Sequence, residues 1–119
     1  MPPNQMTRIL RHGTTRQRAE AILKVGPDPS FLEPGGFDPA HGFSTSPVGG
    51  PTSVGTPEQY AAGKAKHFPN EGGPVIVEIE VPADIIDLAI DAGGEIRFEP
   101  GFGLEELRQA WPRISKRMV

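Results

Sequence analysis

Apolar and polar residues alternate most strictly between Val75 and Val81. Val75, Val77, Ile79 and Val81 fall on one side, and Ile76, Glu78 and Glu80 on the other. A period of two predicts a half-buried strand, with Glu78 and Glu80 as exposed charges. A shorter strand is expected at Arg8 to Arg11, running into His12, Gly13 and two threonines. Thr14-x-x-Gln17 then has capping-box spacing, and Ala19, Ile22 and Leu23 recur at helical intervals, so a helix is predicted over about 15–25. Val25-Gly26-Pro27 stops it. Thr56-Pro57-Glu58-Gln59 starts a second helix, whose Ala61, Ala65 and Phe68 share a face and which ends in Pro69-Asn70-Glu71-Gly72-Gly73.

Further along, Pro82 to Asp91 predicts a helical turn burying Ile85, Ile86 and Leu88. Glu95 to Glu99 predicts another strand with Ile96 and Phe98 inward, and Leu104, Leu107 and Trp111 belong to a last short helix that docks on the core. Gly42-Phe43-Ser44-Thr45-Ser46-Pro47 is short and β-prone. The Gly/Pro-rich stretches 27–41 and 47–56 are long loops, uncommon in a small domain unless they serve function or stay unstructured. Residues 1–6 are expected to be a frayed lead-in, and 113–119, with Arg113, Lys116 and Arg117, a basic tail.

Composition narrows the class. A chain of 119 residues suits one domain of mixed α+β character, and its 36% hydrophobic content with Gly 15 and Pro 14 leaves room for one modest core. The chain has no cysteine, which removes disulfides, thiolate metal sites and cysteine nucleophiles. No apolar run approaches a membrane span and none follows the start, so the expectation is a cytoplasmic chain without a signal peptide or membrane contact. The net charge of −3 argues against general nucleic-acid binding. Residues 1–25 nonetheless carry Arg8, Arg11, Arg16, Arg18 and Lys24 against Glu20 alone, an excess that fits a phosphate-bearing ligand and equally a solvated face.

Several chemistries lack their residues. His12, His41 and His67 show no metal-ligand spacing, so no metal is expected. Gly50 to Pro57 lacks the lysine of a phosphate loop, since Gly55 is followed by Thr56. Gly42-Phe43-Ser44-Thr45-Ser46 lacks the second glycine of a nucleophile elbow, and no dinucleotide fingerprint follows a strand.

Three strand-borne pieces remain: Arg11-His12-Gly13-Thr14, Gly42-Phe43-Ser44-Thr45-Ser46, and Gly94-Glu95-Ile96-Arg97-Phe98. In this order they resemble the ADP-ribosyltransferase superfamily, which includes diphtheria-like and cholera-like toxins and the poly-ADP-ribose polymerases. The resemblance covers roughly residues 7 to 102. It implies a split pair of small antiparallel sheets clamping NAD, with NAD as substrate, and raises the picture of a compact toxin or effector domain.

The resemblance also implies roles. Glu95 is the catalytic glutamate, and Ser44 and Ser46 support the pocket. Gly13 offers its main-chain N–H and C=O to the nicotinamide carboxamide, and Thr14 belongs to the same binding piece. Tyr60 stands where polymerase-like members stack a tyrosine on nicotinamide. In a His-type register His12 holds a ribose hydroxyl; in an Arg-type register Arg11 takes the ribose-phosphate role. Gly93, two positions before Glu95, departs from arginine-modifying members, which carry an acidic residue or Gln there. The reaction is consistent with a lone carboxylate. Nicotinamide leaves as a neutral base from a pyridinium, so no general acid is required, and one carboxylate stabilises the charge on the sugar. The expected function is therefore NAD cleavage with transfer of ADP-ribose to a protein or nucleic-acid acceptor, or to water. The alternative is a catalytically silent module of the same fold that binds NAD, a nucleotide or a protein partner.

Overall fold

The computed structural model describes residues 6–26, 42–44, 57–92 and 95–119. They form a small α+β fold. Strands β1 (Thr7–Thr15), β2 (Gly42–Ser44), β3 (Pro74–Pro82), β4 (Ile90–Ala92), β5 (Glu95–Arg97) and β6 (Ser115–Met118) alternate with helices α1 (Arg16–Val25), α2 (Pro57–His67), α3 (Ala83–Ile86) and α4 (Leu104–Ala110). The strand order is β4-β5-β2-β1-β3-β6, and every pairing is antiparallel. Two small three-stranded sheets are recognisable within it. One is β4-β5-β2 and the other β1-β3-β6, and they meet where Arg11 pairs with Ser44.

The β3 alternation survives intact: Val75, Val77, Ile79 and Val81 are all buried. They join Leu10 and Ile96 from the sheet, Phe98 just after β5, Ala19 and Ile22 from α1, and Leu104, Leu107 and Trp111 in one core. Phe98 and Leu107 are fully enclosed. Gly26 ends α1 with φ 92°, an angle that suits glycine, and a Cβ there would stand 3.2 Å from the Trp111 ring. The indole Nε1 of Trp111 donates to the Leu23 carbonyl at 3.2 Å, which satisfies the one polar atom this large side chain would otherwise bury.

Four expectations are corrected. First, β1 does not stop at Arg11 but runs through His12, Gly13 and Thr14 to Thr15, because β3 supplies an unbroken partner as far as Pro74. The α1 cap moves with it: Thr15, not Thr14, accepts the Arg18 backbone N–H. Second, Leu88 is 47% exposed rather than buried, because the chain turns after α3 into β4, a strand the apolar pattern does not announce. Third, the basic tail includes the edge strand β6, paired to β3 from Val77 to Glu80. Fourth, Glu78 is only 6% exposed, since β3 is flanked by β1 and β6 and both send a guanidinium to it. The predicted cap Thr56, the loops 27–41 and 47–56, and Gly93-Gly94 lie outside the described residues.

Just after α2, Glu71 gathers Arg18 at 2.7 Å and the Thr15 hydroxyl at 2.8 Å, while the Arg18 guanidinium also lies 4.0 Å from the Phe68 ring centre. The Arg18 hydrogen bond holds the Glu71 carboxyl below the ordinary value of 4.5; burial opposes this, and the Thr15 hydrogen bond and the Arg18 charge add to it. A carboxyl depressed by folding contributes stability above its unfolded value and loses it as pH falls through the folded one. The wild-type chain should therefore weaken in urea as pH drops below about 4.5. Glu71→Gln should flatten that part of the curve, and a mutant curve parallel to wild type would exclude Glu71 as the cause.

Candidate functional site

In a directly paired antiparallel sheet, opposing residues stand on the same face. The register at the junction of the two sheets pairs Arg11 with Glu78 on one side and with Ser44 on the other, and Ser44 in turn with Glu95. Glu78 is itself opposite Arg117. One row thus crosses five strands as Arg117, Glu78, Arg11, Ser44 and Glu95. Three of the residues singled out in the sequence, far apart along the chain, occupy consecutive places in it. Neighbouring strands lie about 4.8 Å apart, so the Arg11 and Glu95 positions are separated by roughly 10 Å, the span of a small ligand.

Alternation along β1 sorts the remaining candidates. Arg11, Gly13 and Thr15 share the row's face, whereas Leu10, His12 and Thr14 belong to the opposite one, which carries the core. His12 is 5% exposed, and Thr14 is fully buried with no hydrogen-bond partner for its hydroxyl among the described residues. Of the two candidates Arg11 and His12, Arg11 stands in the row with Ser44 and Glu95, and His12 stands on the other face. Ser46 lies outside the described residues.

Arg11 is held firmly. Its Nη2 meets Glu78 Oε2 at 2.5 Å, and both side chains are largely buried. Charge-assisted contacts of this kind fix a guanidinium's direction as well as its energy. Gly13 faces α2. A Cβ there would stand 1.9 Å from the Pro57 carbonyl oxygen and 2.8 Å from the Ala61 nitrogen, so the absent side chain is what lets helix and strand touch. Tyr60, half-buried, sits one helical turn before Lys64 on the same helix.

Lys64 escaped sequence reasoning. It is 6% exposed, and its Nζ donates to the Gly13 carbonyl at 2.9 Å with His12 Nε2 at 3.5 Å. The signal available was its spacing, since Pro57, Ala61 and Lys64 form one helical stripe and all three are buried. The role of His12 Nε2 in this contact depends on the ring's tautomer, and a charged Lys64, having donors only, would favour the form with the proton on Nδ1. Lys64→Met should cost about 1–3 kcal/mol in urea unfolding, the penalty for stripping a buried carbonyl of its partner. It should also change the nitrogen chemical shifts that report the His12 tautomer. Unchanged shifts would exclude Lys64 as the group that sets the ring.

No protein family, curated protein or solved structure matches the chain. Among the described residues no cluster of three His, Asp or Glu side chains is placed to hold a metal ion, and no helix is long and apolar enough to cross a membrane.

Proposed function

We propose that the chain cleaves the nicotinamide–ribose bond of NAD as an ADP-ribosyltransferase-like enzyme and passes ADP-ribose to an acceptor, or to water. The observation that carries this reading is the cross-strand row Arg11–Ser44–Glu95 at the meeting of two small antiparallel sheets. In this reading Arg11 supplies the cation for the phosphates, and Glu95, two strands away in the same row, the carboxylate for the ribose. Glu95 is the catalytic residue in this scheme. As nicotinamide departs with the bonding pair, positive charge grows on the sugar, and a fixed carboxylate beside it is stabilised most in the transition state. Arg11, already oriented by Glu78, holds the phosphate-bearing half of the substrate. The acceptor is a protein or nucleic-acid group, with arginine disfavoured by Gly93.

One observation favours the silent alternative. The Arg11 guanidinium is engaged by Glu78 and the Gly13 carbonyl by Lys64, so both groups assigned to NAD already have internal partners. The test is nicotinamide release from NAD by the purified chain, with calorimetric NAD binding beside it. Release supports the enzyme, binding without release supports a silent module that takes NAD, and neither would overturn the enzyme and leave only a silent module for another nucleotide or a protein.

A further inference from the structure

Glu78 is an unusual residue for a strand that reads as half solvated. It is nearly buried, and two guanidiniums from different strands converge on its carboxylate. Arg11 takes Oε2, while Arg117 places Nε at 2.8 Å and Nη2 at 2.6 Å from Oε1. The pair differs in access: the Arg11 side chain is 15% exposed and that of Arg117 70%. Arg117 carries the cationic side of the cluster to the surface at the sheet edge. Two guanidiniums bracketing one carboxylate are also spaced to bracket one phosphate, because both oxyanions accept the same planar forks.

We propose that Arg11 and Arg117 form a clamp for a phosphate or diphosphate group, and that Glu78 is an internal carboxylate which holds the clamp preset and which the phosphate displaces or joins. The inference rests on the assignment of Arg11 to a phosphate-bearing substrate and extends the site by one residue, Arg117, that sequence reasoning leaves in a basic tail. It also gives Glu78 a definite role. As a positioning residue it keeps both guanidiniums converged in the empty protein, so little side-chain entropy is lost on binding. As a competing anion it weakens the same binding. A diphosphate enters from the Arg117 side, where the cluster is open.

Inorganic pyrophosphate is the probe, titrated calorimetrically in low-salt buffer into the wild-type chain and three variants. Arg117→Gln lies on an exposed edge strand and should bind about tenfold more weakly. Arg113→Gln removes the same charge from an exposed position outside the row and should bind as wild type does. Glu78→Gln removes the competing anion and should bind several-fold more tightly, with its thermal midpoint recorded alongside. Should Glu78→Gln fail to fold, the Arg117 and Arg113 pair still decides. No binding by wild type, or equal loss in the two arginine variants, overturns the clamp. Because pyrophosphate has no nicotinamide bond, the clamp can fail while NAD is still cleaved, and it can hold in a chain that cleaves nothing.

Discussion

Gly13→Ala is expected to destabilise the fold by about 3 kcal/mol, at the upper end of what overpacking costs, and to lift α2 off β1. Its new methyl would lie 1.9 Å from the Pro57 carbonyl oxygen and 2.8 Å from the Ala61 nitrogen. Neither is the end of a flexible side chain, so no rotamer change relieves the clash and the helix itself must move. Lys64 would then lose its hold on the Gly13 carbonyl, which adds a buried, unsatisfied acceptor to the damage. The same substitution at Gly63, in the middle of α2, should act in the opposite direction. A Cβ there meets nothing within 4 Å, and alanine is the better helix former by about 0.5–1 kcal/mol. Urea midpoints of the two variants against wild type decide the matter. A Gly13→Ala midpoint equal to that of wild type would show that the approach of α2 to β1 is looser than these distances require.

Glu95→Gln should lower nicotinamide release by roughly 10²–10³-fold, the range for losing one preorganised electrostatic partner of a transition state. Glutamine keeps the size and hydrogen-bonding reach of glutamate, so the fold is expected to hold and the loss to appear in turnover more than in binding. That pattern, turnover down with NAD affinity little changed, is the signature of an interaction realised only as charge develops. If the variant releases nicotinamide at the parental rate, Glu95 is not the group that stabilises the sugar cation, and the mechanism fails. If the parent binds NAD and releases nothing, the silent module is the better description.

The parts of this fold legible in the sequence are those whose period is strict. β3 alternates without a break because one side is core along its whole length, and Leu104, Leu107 and Trp111 keep helical spacing for the same reason. What escaped notice depends on partners remote in sequence. Glu78 reads as solvated because it alternates with valines, and only the guanidiniums of Arg11 and Arg117, the latter 39 positions later, show otherwise. β1 reads as ending near Gly13 because glycine ordinarily punctuates a strand, whereas here it admits a helix. β6 has no apolar stripe at all. Ser-Lys-Arg-Met pairs as an edge, where charged residues serve to discourage further strand addition. Among the candidate residues, Arg11, Ser44 and Glu95 share one row while His12 stands on the other face, a matter of strand phase that pairing alone reveals.

The central place of β1 has a bearing on how the protein comes to be folded. Its hydrogen-bonding neighbour β3 lies far along the chain, with Thr7 reaching a residue 73 positions away. Contacts so distant in sequence form only after a large loop has closed, and loop closure of this kind slows folding. On a ribosome β1 would emerge early and wait with one edge bare until β3 had been synthesised, and β3 would in turn wait for β6. The Arg11 row consequently cannot exist in any early intermediate, and ligand binding should return only in the slowest refolding phase.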